Sequence, residues 1–176
     1  RGIGVNAYGR AEASMGVTIG DANADGLFDL FMTHLRNETN TLYRATPHGE
    51  FRDHTTAAGL GQPSFAPLGF GTRFLDYDND GLLDLFVANG HIMDRIALID
   101  STQTYRQTNQ LLRNTGAGRY ADISAALGPS FQTANVGRGT ASGDYDNDGD
   151  LDLFVAVQRD RSRLLRNDGG NANHWL

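Results

Sequence analysis

Three short apolar runs punctuate this chain, Leu30-Phe31-Met32, Leu85-Phe86-Val87-Ala88 and Leu153-Phe154-Val155-Ala156. Around the second, Leu83, Leu85 and Val87 alternate with Asp84, Phe86 and Ala88. That is a period of two with both faces partly apolar, which predicts a strand covered on both sides, as in stacked blades. The residues entering the preceding turn, Thr72-Arg-Phe-Leu75, predict the strand that pairs with it in a hairpin.

The turns before the three runs share one pattern, D-x-[DN]-x-D-G-x-x-D. It occurs as Asp21-Ala-Asn23-Ala-Asp25-Gly26-Leu27-Phe-Asp29, as Asp76-Tyr-Asp78-Asn-Asp80-Gly81-Leu82-Leu-Asp84, and as Asp144-Tyr-Asp146-Asn-Asp148-Gly149-Asp150-Leu-Asp152. A glycine stands five residues upstream of each, at Gly16, Gly71 and Gly139. A second block follows each run, as Asn40-Thr-Leu-Tyr-Arg44, Asn109-Gln-Leu-Leu-Arg113 and Ser162-Arg-Leu-Leu-Arg166. A third follows in the first two copies, as Phe51-Arg-Asp53-His-Thr55 and Tyr120-Ala-Asp122-Ile-Ser124. The second and third blocks predict another hairpin, around Thr115-Gly-Ala-Gly118 in copy two.

The unit is therefore about 55 residues and four short strands, the signature of a β-propeller blade. The fold class expected is all-β, with about three four-stranded antiparallel blades. Three blades do not close a ring whose usual minimum is four, so the chain reads as part of a larger propeller or as a fragment needing partners. Copy two carries an insertion of about 14 residues between Asn89 and Thr108, opened by His91 and Asp94 and closed by Tyr105 and Arg106. A long insertion on a rigid scaffold is where such folds place specific function. A solvated loop or short helix through Ile92, Ile96 and Ile99 is the plainer reading of it.

The repeated turn carries the chemistry. Calcium takes six to eight oxygens at about 2.3–2.6 Å, and positions 1, 3 and 5 of a tight turn aim three side chains at one point. These are Asp21, Asn23 and Asp25, then Asp76, Asp78 and Asp80, then Asp144, Asp146 and Asp148. Glycine at position 6 supplies the positive φ that folds the loop. Position 7 (Leu27, Leu82, Asp150) would offer its carbonyl and position 9 (Asp29, Asp84, Asp152) a further carboxylate. An EF-hand is excluded because Met32, Val87 and Val155 occupy position 12, where that loop needs glutamate, and the flanks are strand-like. A merely solvated Asp-Gly turn does not explain four acids in nine residues, which repel one another without a cation. The first loop, with Asn23 in place of an acid, should bind most weakly.

Composition changes this picture in few places. Of 176 residues, 39% are hydrophobic and 20% charged, which excludes disorder and collagen, and the absence of cysteine excludes disulfides and thiolate metal sites. No apolar run approaches the roughly 18 residues of a membrane helix, and no charged and apolar leader stands at the start. The formal charge is −6, but the three loops hold 12 of the 21 acidic residues and none of the 15 arginines. The remainder is a mildly basic scaffold, on which a short basic stretch such as Asp160-Arg-Ser-Arg163 is too small to argue for nucleic acid. The arginines of the second block are expected to pair with carboxylates. No nucleophile elbow, P-loop, dinucleotide fingerprint or zinc-protease motif occurs. No catalytic residue is assigned, and the five histidines read as ordinary structural residues.

These blocks resemble FG-GAP/VCBS repeats, the calcium-bearing propeller blades also found in integrin α-subunit heads, over almost the whole chain. The ending Leu164-Leu-Arg-Asn-Asp-Gly-Gly-Asn171-Ala-Asn-His-Trp-Leu176 resembles the junction into an ASPIC/UnbV domain, as in the cartilage acidic protein 1 group. The resemblance implies a propeller segment over 1–170 and the start of an ASPIC/UnbV-like domain at 171–176. It further implies a seven-bladed ring, up to three Ca²⁺ ions, an extracellular, cell-surface or periplasmic setting and no established catalysis. The function expected is a structural or interaction module with a protein or carbohydrate partner. The alternative is a propeller belonging to a larger secreted, polysaccharide-active enzyme.

Overall fold

In the computed structural model, which describes residues 2–169, the apolar runs and their flanks form three antiparallel sheets. The first contains β1 (Gly16–Gly20), β2 (Asp29–Thr33), β3 (Thr41–Ala45) and β4 (Phe51–Asp53), in that spatial order. A four-residue helix, α1 (Gly61–Ser64), lies in the connection to the second sheet. That sheet runs β5 (Gly69–Leu75), β6 (Asp84–Asn89), β7 (Gln110–Asn114) and β8 (Tyr120–Asp122). The third has β9 (Gly137–Gly143), β10 (Asp152–Val157) and β11 (Arg163–Leu165), three strands among the described residues. Each sheet is a meander in which sequence neighbours pair, the all-β blade architecture expected from the repeat. Residues 171–176, with the expected start of a further domain, lie outside the described residues.

Register follows the turns. Gly20 faces Asp29, Leu75 faces Asp84 and Gly143 faces Asp152, so each nine-residue acidic turn closes the first hairpin of its blade. Gly116, Ala117 and Gly118 all take positive φ and close the hairpin of β7 and β8, where Asn114 faces Tyr120. The first strands of successive blades lie side by side, β1 against β5 and β5 against β9. Backbones approach so closely there that a Cβ on Gly16 would fall 2.0 Å from the Phe70 carbonyl oxygen, and one on Gly71 2.5 Å from that of Arg138. The upstream glycines of the first two repeats thus serve blade-to-blade contact.

Two apolar cores fill the spaces between blades. Phe31 and Leu42 of the first blade meet Phe74, Leu85, Val87 and Leu112 of the second. Phe86, Ala88 and Leu111 on the other face of the second blade meet Leu153, Val155 and Leu151 of the third, with Phe131 edge-on to Phe86 at 5.9 Å. The residues alternating along β6 therefore divide between two cores, which is why both faces of that strand are apolar.

Candidate metal centre

Every acidic loop is built on the same internal bonds. The position-1 carboxylate accepts from the N–H groups of positions 5 and 6: Asp21 from Asp25 and Gly26, Asp76 from Asp80 and Gly81, Asp144 from Asp148 and Gly149, at 2.8–3.1 Å. The position-5 carboxylate accepts from the N–H of position 7, that is Leu27, Leu82 or Asp150, at 2.9–3.0 Å. Glycine at position 6 takes φ of 84° to 94°, a conformation that costs a side-chain-bearing residue dearly. Position 4 is also left-handed, with Asn79 and Asn147 in the second and third loops and Ala24 in the first. Asparagine tolerates that region better than alanine.

Position 9 has a role that the spacing alone does not show. Asp29, Asp84 and Asp152 are fully buried, and each carboxylate bridges two backbone N–H groups. One belongs to position 2 of the loop (Ala22, Tyr77, Tyr145) and the other to the residue after the second-block arginine (Ala45, Asn114, Asn167), at 2.7–3.1 Å. Each thus ties its loop to the third strand of its blade or, in the third blade, to the segment two residues beyond that strand. Burial pushes the Asp84 carboxyl up to about 7, against the lowering effect of those two N–H groups, and it raises Asp29 as well. Asp78 is raised by burial and by its neighbour Asp80, with Arg113 opposing, and Asp146 is raised in the same sense.

Positions 1, 3 and 9 converge. Asp76, Asp78 and Asp84 each offer an oxygen, all within 4.8 Å of one another, and Asp144, Asp146 and Asp152 do the same. Two oxygens sharing one calcium ion cannot lie much farther apart than twice its bond length, about 4.8 Å, so both trios fit such an ion. The position-5 acids Asp25, Asp80 and Asp148 are not among these closest groups. In the first loop Asn23 replaces one carboxylate. Its amide donates to Asp25 at 2.8 Å, and its own oxygen is buried with no hydrogen-bond partner.

The expected arginine pairs form. Arg113 reaches Asp78 at 2.8 Å and Asp80 at 3.5 Å, and Arg166 reaches Asp146 at 3.7 Å and Asp168 at 2.7 Å. Arg44 stands 3.6 Å from Asp25 in the first blade. Asparagines after two of these arginines lock neighbouring blades together. Asn114 donates to the carbonyl of Ala22 in the first loop at 2.9 Å, and Asn167 to that of Tyr77 in the second at 2.6 Å. The buried side chain of Asp150 accepts from Asn79 of the second loop at 3.1 Å. The repeated Leu-Leu-Arg-Asn at 111–114 and 164–167 was the signal in the sequence for this staple.

His34 is buried 3.6 Å from Glu12, and burial lowers its pKa despite that neighbour. His54 lies near Arg44, and His91 accepts the Met93 N–H at 3.0 Å. His48 is exposed. The insertion of the middle blade folds back on itself through the His91 N–H to Tyr105 bond and makes a 3₁₀ turn at Ile96–Leu98. Asp100 ties it to Arg36 of the first blade, and Arg106 to Asp160 of the third at 2.8 Å.

Comparison with known proteins agrees with this repeat geometry. The profile described as FG-GAP-like repeat matches residues 21–87 and 92–155. Cartilage acidic protein 1 of Mus musculus is 28% identical over 151 residues, which is 86% of this chain and 20% of that protein. The protein of that name in Homo sapiens is 27% identical over 139 residues, 79% of this chain and 18% of its own length. The chain thus spans about a fifth of the length of the relatives it matches.

Proposed function

Because the chain belongs to the FG-GAP-like repeat family, we propose that it is a calcium-stabilised run of propeller blades serving as an extracellular structural or interaction module. The observation that carries this reading is the pair of aspartate trios, Asp76/Asp78/Asp84 and Asp144/Asp146/Asp152, set in register by the repeat. Crowding and burial raise several of these carboxyls, and a divalent cation among them relieves that cost. The loop spends the position-7 N–H internally, which leaves the carbonyls of Leu27, Leu82 and Asp150 to complete the shell. The first loop, short of one carboxylate, binds most weakly. Calcium suits these loops better than magnesium, which keeps its waters and an octahedral shell.

The setting follows from affinity. Extracellular calcium modules bind at about 10⁻⁴–10⁻³ M, concentrations that only the outside of a cell supplies. No helix among the described residues is long and apolar enough to cross a membrane. Further blades complete the ring, and the module itself is non-catalytic.

Calcium at tenfold its dissociation constant adds about 1.4 kcal/mol per site, and about 4 kcal/mol for three independent sites. For a chain of this size that corresponds to roughly 8–16 °C in melting temperature. Thermal melts in calcium, in chelator and in chelator followed by magnesium test the proposal. The expected result is a lower melt in chelator that magnesium restores poorly. An unchanged melt would sink it.

A further inference from the structure

We propose that the three candidate calcium sites are coupled from blade to blade through Asn114 and Asn167, so that an ion in one loop tightens the site in the next. The inference rests on the calcium reading above and adds to it how the sites fill.

A single line of hydrogen bonds joins the three buried position-9 carboxylates. Asp152 accepts the Asn167 N–H at 2.8 Å, and the Asn167 side chain donates to the Tyr77 carbonyl at 2.6 Å. The Tyr77 N–H is bound by Asp84 at 3.0 Å, and Asp84 accepts the Asn114 N–H at 2.7 Å. The Asn114 side chain then donates to the Ala22 carbonyl at 2.9 Å, and the Ala22 N–H is bound by Asp29 at 3.1 Å. Position 2 of these two loops is therefore held from both sides, its N–H by the loop's own position-9 acid and its carbonyl by the next blade's asparagine.

The two asparagines bridge loops in a fixed orientation. Besides the preceding loop, each amide nitrogen reaches the position-8 carbonyl of its own loop, Leu83 at 3.1 Å for Asn114 and Leu151 at 3.5 Å for Asn167. Their Oδ1 atoms accept from the N–H groups of Gly116 and Gly169 at 3.0 and 3.2 Å. Turning either amide over would set oxygen against carbonyls and nitrogen against an N–H. In the first blade Ala45 stands at this place, and that blade has no preceding loop among the described residues to bridge to.

Order is what passes along this line. A cation among positions 1, 3 and 9 fixes the position-9 carboxylate and the turn around it against the mutual repulsion of the acids. Once Asp152 and Leu151 are fixed, Asn167 presents a rigid donor to the Tyr77 carbonyl. The second loop then loses less conformational freedom on taking up its own ion, which is positive coupling. Asp29, Asp84, Asn114 and Asp152 are all at most 2% exposed, so water competes little for these bonds. The second and third loops share a further contact, Asp150 accepting from Asn79 at 3.1 Å, which Leu82 and Ala24 at the same places of the other pair cannot repeat. The second and third sites are therefore the more strongly coupled pair, and the stabilisation summed above for independent sites is a minimum.

The test follows the N–H signals of Gly26, Gly81 and Gly149 by NMR while the full chain is titrated with calcium chloride. Each of these glycines donates to the position-1 carboxylate of its own loop, so each reports one site. Asp146→Ala removes the position-3 ligand of the third loop and leaves the bonds of Asp144 and Asp152 that shape it. It is expected to weaken calcium binding at Gly81 by about fivefold or more, and at Gly26 by less. The converse variant, Asp78→Ala, should weaken the third site by a similar factor, because coupling between two binding equilibria is reciprocal. In an Asn167→Ala background Asp146→Ala should no longer change the second site, an outcome that a merely structural asparagine would not give. Asp150→Leu, which installs the second loop's residue, should reduce the effect of Asp146→Ala part of the way, and it carries the comparison if melts in calcium show that Asn167→Ala does not fold. Equal calcium affinity at Gly81 in the parent and in Asp146→Ala would overturn the coupling and leave the calcium reading standing. A tighter second site in that variant would overturn it too, as the sign that repulsion between neighbouring ions prevails. Additive effects of Asn167→Ala and Asp146→Ala would overturn the role given to Asn167. If none of the three glycines responds to calcium, the calcium reading itself fails and the coupling with it.

Discussion

The middle and third blades carry nearly the same second strand, Asp84-Leu-Phe-Val-Ala and Asp152-Leu-Phe-Val-Ala, yet they live in different surroundings. Phe86 is 0% exposed and its counterpart Phe154 is 45% exposed; Leu111 is 3% exposed and its counterpart Leu164 is 48% exposed. Phe31 and Leu42 of the first blade match the middle blade in burial. The difference lies in the neighbour. The first and middle blades have a following blade against this face, and the third has none among the described residues. At the other end Val17, Ile19 and Phe28 of the first blade are exposed, while their counterparts Thr72, Phe74 and Leu83 in the middle blade are buried or half-buried. Burial in such a repeat belongs to the interface between units rather than to the unit.

That comparison is broken most directly by removing the same ring from both blades. Phe86→Ala is expected to destabilise by about 3–5 kcal/mol, the usual range for a large buried aromatic. Phe154→Ala should cost well under about 1 kcal/mol, since its face is already half in water. Chemical denaturation of both variants in calcium checks this. Equal losses would mean that a blade or a second chain covers Phe154 in solution.

A smaller effect sharpens the same contrast through the backbone. A Cβ on Gly71 would stand 2.5 Å from the Arg138 carbonyl oxygen, whereas on Gly139 the nearest atom is the Ala156 Cβ at 3.7 Å. Gly71→Ala is therefore expected to cost about 1–3 kcal/mol by forcing two blades apart, and Gly139→Ala to be close to neutral. Matching melts for these two variants would contradict the asymmetry between the middle and the end.

The sequence made the blades legible because their signals are local and repeated. The Asp-Gly turns, the period-two apolar strands and the glycine five residues upstream each report on a hairpin, and together they locate the strands within a few residues. The position-9 aspartates were legible as acids but not as buried staples, since their partners Asn114 and Asn167 lie 30 and 15 residues away.

Within the loops, the contrast sets the first against the other two. Asn23→Asp supplies the missing carboxylate, and under the calcium reading it should tighten the first site by roughly tenfold, about 1.4 kcal/mol. Asp78→Asn should weaken the second site by a similar amount. Calcium titrations followed by calorimetry separate the three sites, and an unaltered isotherm for Asn23→Asp would show that the first loop takes no ion.

The smallest effect concerns the residue thirteen positions beyond the first loop acid, which is His34 in the first blade, Asn89 in the middle and Val157 in the third. Of the three, only His34 titrates. Glu12, Glu38 and Asp53 all favour its charged form, but burial outweighs them and holds its pKa below the ordinary value of 6.5. The folded state therefore prefers the neutral ring, while the unfolded chain takes up a proton as pH falls through about 6.5. The stability that His34 contributes is complete above that pH and is lost as pH falls toward the folded-state value. Between pH 6.5 and 6.0 the loss is roughly a few tenths of a kcal/mol. His34→Asn, which installs the residue of the middle blade, should remove this contribution from the stability profile measured by denaturant titration. Asp84, pushed up to about 7, adds a slope of opposite sign in the same range, so the parent-minus-variant difference is what is read, and a difference that does not change with pH would assign the proton uptake to His54 or His91, both of which are also lowered by burial.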